Sequence, residues 1–199
     1  MEDSWTDDEY GASHKGAIKV LLDDGSTAKP VYFDVGSGSH VPSSSHWSVY
    51  DGRLPNTPRA SAFRAACSCE WTGTIHTLDW DEIGDQPLHR AAARDADRCL
   101  TDWDQHIAEV GETTVAVPGR ITDLLESLHT EIERYTKESP AGALKLARRM
   151  EISAADLGYW AAHKARDSMS REEVAAALGL NGGDATQLLA RFGRWSPYV

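Results

Sequence analysis

Two cysteines and a histidine lie close together in the segment that runs from Cys67 to His76. Thiolates and imidazoles are ligands that zinc prefers in proteins, and alternate residues of a strand point to the same face. A two-residue turn at Thr72-Gly73 would form a β-hairpin in which Cys69 pairs with His76. Cys67, Cys69 and His76 would then share one face, which predicts a zinc site that takes one more ligand from elsewhere in the chain.

The fourth ligand has two candidates, Cys99 and His106, in a segment of helical character. Their separation in sequence corresponds to roughly 10 Å along an α-helix, so one metal ion would bind only one of them easily. We favour His106. The alternative to a zinc site is a pair of reduced thiols in a small β-core, with His76 on the surface.

The surroundings of the cysteines carry a further pattern. Residues 66–73, with Trp103 and His106 downstream, resemble a Cys-x-Cys-Gly-Trp pattern of uncharacterised actinobacterial proteins, with Glu70 in place of the glycine. That resemblance implies no established activity. A nucleophilic cysteine would also need an oxyanion site and a substrate pocket, and no motif supplies them, so we do not expect an enzyme.

A second informative spacing lies between residues 153 and 192. Ser170 and Glu173 have the three-residue separation of a capping box, which starts a helix. Gly179 can take the positive φ that ends this helix, and Asn181 can cap the next one. Residues 173–180, with the sequence EVAAALGL, resemble the core of the helix-turn-helix superfamily, in which two short helices are joined by a tight turn. The alternative is a plain helical bundle.

The resemblance implies that residues 182–192 form a recognition helix, with Thr186 and Gln187 facing the major groove of DNA. Arg191 or Arg194 would lie near phosphate. Gly182 and Gly183, at the start of this helix, have no side chain that could contact the edges of the bases. The DNA-contacting candidates are Arg171, Asn181, Thr186, Gln187, Arg191 and Arg194.

The elements that must position these residues change in type along the chain. The first fourteen residues are acidic and lack periodicity, which predicts a mobile arm. Alternating apolar residues and turn signals then predict strands, and three- and four-residue apolar spacings predict helices from residue 118 onward. The predicted strands are 17–22, 31–35, 47–50, 63–69 and 71–78, with a Ser/Gly-rich loop at 36–46; the predicted helices are 88–110, one with Ile121 to Tyr135, one with Leu144 to Met150 and one with Ala155 to Ala165.

Charge separates the chain into two parts. The net charge is −11, and residues 1–118 hold 9 Lys+Arg against 20 Asp+Glu, whereas residues 119–199 hold 11 of each. Phosphate contacts need clustered basic residues, so the acidic part is not a general nucleic-acid binder. This asymmetry indicates two regions with different roles.

The same features bear on location. The acidic first residues are unlike a signal peptide, and no apolar run approaches the ~20 residues of a membrane span. Three cysteines suit a reducing compartment better than a disulfide framework. We therefore expect a cytoplasmic protein.

These observations together predict an α+β protein. Its parts would be a flexible acidic arm at 1–14, a β-rich domain with a zinc hairpin and a helix at 15–117, and a helical domain ending in a helix-turn-helix at 118–199. The expected function is DNA-binding transcription regulation, as a homodimer that binds double-stranded DNA at paired half-sites. The alternative is an interaction protein whose acidic domain binds a basic partner, with the helical domain as scaffold.

Overall fold

The computed structural model describes residues 4–33, 41–53 and 57–194. The chain divides into two compact units, Met1–Gly111 and Glu112–Val199. An antiparallel sheet lies in the first unit and the second is helical, so the predicted α+β class is confirmed. The predicted Ser/Gly-rich loop at 36–46 and strand at 31–35 fall partly outside the described residues, as do the first three residues of the predicted arm.

The first unit is built on a four-stranded antiparallel sheet with the order β1-β2-β5-β6. Strands β3 and β4 form a separate two-stranded sheet. The strands are β1 (Ser4–Trp5), β2 (Gly16–Leu21), β3 (Val31–Tyr32), β4 (Ser43–Ser44), β5 (Ala62–Cys67) and β6 (Thr72–Thr77). The predicted strand at 47–50 is instead a 3-10 helix, Trp47–Val49, whose Trp47 enters the core.

The described part of the predicted acidic arm, residues 4–14, is folded onto the sheet. Ser4 and Trp5 pair with Ala17 and Gly16, and a 3-10 helix, Gly11–His14, follows. The Trp5 ring packs 5.9 Å from the ring of Trp103. A Cβ atom at Gly16 would lie 2.5 Å from Trp103 Nε1, so only a glycine at this position gives the indoles of Trp5 and Trp103 enough space. Burial of Trp5 therefore fixes a segment whose charge alone predicts mobility.

The hairpin turns four residues earlier than its sequence predicts. Strand β5 ends at Cys67, and the turn runs through Ser68–Glu70 rather than through Thr72-Gly73. Glu70 has a φ of 72°, in the left-handed region. The turn closes because the Glu70 N–H donates to the Cys67 carbonyl and the Cys67 N–H donates to the Trp71 carbonyl.

Three helices follow β6: α1 (Trp80–Ile83), α2 (Leu88–Ala91) and α3 (Ala93–Thr113), the last of which continues two residues past the end of the first unit. The predicted helix at 88–110 is thus interrupted at Ala92. Cys99, Trp103 and His106 recur on α3 at intervals of four and three residues and are all buried. This apolar spacing places one face of α3 against the sheet, next to the core residues Phe63 and Ala65.

The second unit contains four helices: α4 (Gly119–Glu138), α5 (Pro140–Ser168), α6 (Arg171–Leu178) and α7 (Gly182–Gly193). Ser139 caps α5, with Pro140 at its first position. The two predicted helices at 144–150 and 155–165 are one continuous helix, because no residue between them breaks the α-helical hydrogen bonding. No helix in the described ranges is long and apolar enough to cross a membrane.

Helices α6 and α7 are joined by a three-residue connection, residues 179–181. The Glu173 N–H donates to Ser170 Oγ at 3.1 Å, and the Ser170 N–H donates to Glu173 Oε2 at 2.7 Å, which completes a capping box. Gly179 ends α6 with a φ of 62°. Asn181 Oδ1 accepts from the Asp184 N–H at 2.9 Å and caps α7.

Candidate metal centre

Two histidines and two cysteines converge at one end of the first unit. The ligand atoms of His14, Cys67, Cys69 and His106 all lie within 4.8 Å of one another. His14, Cys67 and His106 are buried, whereas Cys69 is exposed. Both cysteines are free thiols. This cluster could hold a metal ion, since it offers two sulfur and two imidazole ligands.

Three separations inside the cluster match those expected around a tetrahedral ion. His14 Nδ1 lies 3.3 Å from His106 Nε2 and 3.6 Å from Cys67 Sγ. Cys69 Sγ lies 3.3 Å from His106 Nε2. An ion at ~2.0–2.3 Å from each of four tetrahedral ligands would hold them roughly 3.3–3.8 Å apart. Three of the six pairs of ligand atoms already have this spacing, and the other pairs lie within 4.8 Å.

The β5–β6 turn positions the two thiols. Cys67 is the last residue of β5, and Cys69 lies at the turn, two residues later. Between them, Ser68 Oγ accepts from the Lys15 N–H at 2.8 Å and lies 3.0 Å from the carbonyl oxygen of Ser13. Ser68 thus ties the turn to the chain on both sides of His14.

Helix α3 and the residue after the turn position His106. The Trp71 ring stacks on the His106 imidazole, with centroids 4.3 Å apart and planes 8° apart. His106 is placed on the buried face of α3 by its three-residue spacing from Trp103. The imidazole is therefore held from its own helix and from the hairpin.

The surroundings shift the pKa of two members of the cluster. Burial and the neighbouring His14 lower the pKa of His106. This favours the neutral imidazole, whose free lone pair can bind a metal. Cys69 is exposed as a residue, but partial removal of its thiol from water raises the pKa of the thiol, with a further contribution from Cys67. A metal ion binding here would have to displace the Cys69 proton.

The predicted ligand His76 lies outside this cluster. It pairs with Phe63, four residues before Cys67 on β5, so it is roughly 13 Å away along the strand direction. Its Nε2 is 2.9 Å from Asp102 Oδ2, and Asp102 also accepts from the Thr74 N–H at 3.1 Å. The predicted role of His76 is wrong because of the position of the turn: only a turn at Thr72-Gly73 would place His76 opposite Cys69.

The packing of α3 distinguishes between the two candidates for the fourth ligand, His106 and Cys99. His106 is in the cluster, whereas Cys99 is fully buried in the core of the first unit. Burial first, then the nearby carboxylates of Asp102 and Asp95, raise the pKa of Cys99 to about 12. Cys99 is therefore a neutral core thiol at physiological pH.

His14 is the member of the cluster that the sequence did not predict. It lies in the 3-10 helix before β2, and β2 pairs with β5 so that Gly16 lies opposite Cys67. Both strands are predictable from their apolar alternation, but their pairing is not. His14 could have been predicted only by assuming that the two strands pair in an antiparallel register, because that register places His14 near the thiols.

The DNA-contacting candidates lie on or beside α6 and α7. Arg171, Thr186, Gln187, Arg191 and Arg194 are exposed. The Thr186 hydroxyl donates to the Gly182 carbonyl at 2.7 Å, and the side chain of Asn181 is the α7 cap.

Three apolar residues of α6 and α7 are buried: Val174, Ala175 and Ala185. A cavity of about 460 Å³ adjoins both helices. It is lined by Arg166, Met169, Ser170, Arg171, Val174, Thr186, Leu189 and Ala190.

No family model, curated protein or solved structure matches this chain.

Proposed function

We propose that the first unit is a zinc-binding module in which His14, Cys67, Cys69 and His106 hold one structural Zn²⁺ ion. The observation that carries this proposal is the convergence of the four ligand atoms within 4.8 Å. Two thiolates and two imidazoles are a common tetrahedral zinc set. With four protein ligands no position stays open for a substrate, so the ion stabilises the fold rather than performing catalysis.

The ion would join segments that are distant in sequence. His14 and Cys67 are 53 residues apart, and Cys69 and His106 are 37 residues apart. A preformed site of this kind does not exist in the unfolded chain, so the binding free energy contributes to folding. Zinc would thus fasten the 3-10 helix and α3 to the β5–β6 turn.

Metal analysis of the purified chain, prepared without chelator, tests the module. We expect one zinc per chain, and tetrahedral Co²⁺ spectra with thiolate charge-transfer bands after exchange. Cys67→Ser and His14→Gln should each weaken zinc binding by more than about a hundredfold, since even outer-shell partners contribute 10–100-fold. His76→Gln is the matched control and should bind zinc like the wild type.

Two results would contradict the module. One is wild-type protein with well under one zinc per chain even after reconstitution. The other is loss of zinc from His76→Gln together with its retention in His14→Gln, which would favour the ligand set expected from the sequence. Circular dichroism of each variant at saturating zinc separates ligand loss from misfolding.

A second candidate function, transcription regulation by DNA binding, is favoured by the α6–α7 pair. A capping box, a left-handed glycine and an asparagine cap connect these two helices in a short turn, and the side chains of Thr186, Gln187 and Arg191 are exposed. A helix carrying polar residues of this kind can lie in the major groove. Lys and Arg balance Asp and Glu in residues 119–199, so we expect weak, salt-sensitive binding by one copy.

Fluorescence anisotropy with labelled duplex DNA at low and high salt tests this function. We expect the Gln187→Ala/Arg191→Ala double variant to lose most of the binding. Arg98→Ala removes an arginine that is ion-paired with Asp95 on α3 and serves as the control. Equal binding by the double variant would contradict DNA recognition through α7. Absence of duplex binding together with capture of a defined basic protein would instead support an interaction role for the acidic unit.

A further inference from the structure

The second unit buries small residues and exposes large ones. In the described part of this unit the buried hydrophobic residues are Ala143, Ala162, Val174, Ala175 and Ala185. Helix α4 is twenty residues long and none of them is buried. Helices in globular proteins take most of their stability from packing an apolar face. Much of the apolar surface of this unit therefore lacks a covering layer within the unit itself.

The apolar residues of α4 form a continuous stripe, of which Ile121, Leu125 and Leu128 are exposed and Ile132 and Tyr135 are half-buried. Ile121, Leu125, Leu128, Ile132 and Tyr135 follow one another at intervals of four, three, four and three residues. Leu124 lies beside them and is 61% exposed. This alternation of three- and four-residue steps is the spacing of helices that pack along their length against other helices.

Helix α5 carries a second stripe with the same spacing. Its members are Leu146, Met150, Ser153, Leu157 and Trp160. Leu157 is 71% exposed and Trp160 is 51% exposed. The polar member, Ser153, is also exposed. Both helices of the α4–α5 pair thus present an apolar stripe.

We propose that the α4 and α5 stripes form the interface of a homodimer, with a second copy of this chain as the occupant. Complete burial of the residues involved would remove roughly 800 Å² per copy from solvent, which is about what each partner buries in a standard stable interface. The side chains used for this value are Ile121, Leu124, Leu125, Leu128, Leu146, Met150, Leu157 and Trp160.

Charge favours a second copy over a foreign partner. Helix α4 carries three Lys+Arg and five Asp+Glu, so its net charge is −2. Helix α5 carries five Lys+Arg and three Asp+Glu, so its net charge is +2. In a two-fold symmetric interface both copies use the same surface, so α4 of each copy can lie against α5 of its partner. Each helix then meets a helix of opposite charge.

The resulting assembly is a four-helix bundle made from two helices of each copy. Bundles of this kind bury apolar stripes at the three- and four-residue spacing seen here. The interface uses no residue of the metal centre and none of the exposed DNA-contacting candidates of α7. The dimer is therefore independent of both proposed functions, and it would place two copies of α7 in one particle.

Sedimentation velocity and light scattering of the full-length chain over a range of concentrations test the dimer. We expect a dimer that dissociates in Leu157→Glu, because the carboxylate would be buried in the apolar interface. Leu144→Glu is the matched control. Leu144 is 72% exposed, against 71% for Leu157. It lies two residues before Leu146, on nearly the opposite side of α5, so this variant should stay dimeric.

Ser153→Leu gives a test that does not depend on loss of structure. It fills the polar position of the α5 stripe, so the dimer dissociation constant should fall by about tenfold or more, as burial of one leucine side chain predicts. Far-ultraviolet circular dichroism checks that Leu157→Glu keeps its helices. A monomeric wild type at every concentration would overturn the proposal, as would a dimer equally stable in Leu157→Glu and Leu144→Glu.

Discussion

The indole of Trp71 lies nearly parallel to the imidazole of His106, with 4.3 Å between the ring centroids and 8° between the planes. His106 Nε2 is at the same time 3.3 Å from Cys69 Sγ and 3.3 Å from His14 Nδ1. A stacked indole restricts rotation of the imidazole. Trp71 therefore orients the nitrogen that would bind a metal ion, although it is not itself a ligand.

Replacement of Trp71 should weaken zinc binding without removing a ligand. We expect Trp71→Ala to raise the zinc dissociation constant by about 10–100-fold, the range found for groups that orient metal ligands. Trp71→Phe keeps an aromatic face and should lose much less. Competition with a chromophoric chelator measures both constants. Wild-type affinity in Trp71→Ala would show that α3 alone orients His106.

The three cysteines should differ in reactivity. The pKa of Cys99 is raised to about 12 by burial and nearby carboxylates, so almost no thiolate is present near neutral pH. Cys69 is exposed. We expect an alkylating reagent to modify metal-free native protein at Cys69 first and at Cys99 last. Zinc should protect Cys69, because its sulfur would then be bound to the ion.

Peptide mass spectrometry after timed alkylation gives the rate at each cysteine. Protein unfolded in urea is the control, in which all three thiols should react at similar rates. Modification of Cys99 as fast as Cys69 in the native protein would contradict the buried position of Cys99 in the first unit.

Local signals in the sequence were enough to predict the α6–α7 turn. The capping box, the left-handed Gly179 and the Asn181 cap each depend on residues within a few positions of one another. Cys67, Cys69 and His106 could likewise be chosen as cluster members from their residue types, although Cys69 lies in the turn and not on the predicted strand. In both cases the relevant interactions are short-range or follow one periodicity.

The remaining features depended on interactions that no local pattern contains. The turn forms at residues 68–70, with Glu70 in the left-handed region where glycine is the usual residue. The Thr72-Gly73 pair, which favours a turn, therefore predicted the wrong turn. That error led to His76 being chosen as a ligand. His14 joins the cluster only through the pairing of β2 with β5. The charge of residues 1–14 predicts a mobile arm, whereas the described residues 4–14 are folded. The packing of Trp5 on Trp103 holds them, and this long-range contact leaves no local pattern in the sequence.

The capping box should make stability depend on pH below neutrality. Hydrogen bonds from Ser170 lower the pKa of Glu173 in the folded chain. A carboxyl whose folded pKa is depressed contributes stability that is present above its unfolded pKa and lost as pH falls through the folded value. With an ordinary value of 4.5, this loss should occur below that pH. Urea unfolding at about pH 6 and about pH 3.5 measures it.

Glu173→Gln should lose less stability over this interval than the wild type, because glutamine does not titrate. Glu172→Gln is the control, since Glu172 is adjacent and exposed but is not the residue that closes the capping box. Its pH dependence should follow that of the wild type. Equal pH dependence in all three proteins would mean that the Glu173 carboxylate adds nothing to the start of α6.

The close approach of α5 and α7 at Gly158 should make that position intolerant of any side chain. A Cβ atom there would collide with the ring of Phe192 on α7, so Gly158→Ala should destabilise the second unit by about 1–3 kcal/mol, the usual cost of overpacking. At Gly182, the first residue of α7, a Cβ atom would meet nothing within 4 Å. Gly182→Ala should therefore be neutral or stabilise by about 0.4–1 kcal/mol, because alanine restricts the unfolded chain. Urea unfolding followed by circular dichroism compares the two, and equal stabilities would contradict the tight contact between α5 and α7.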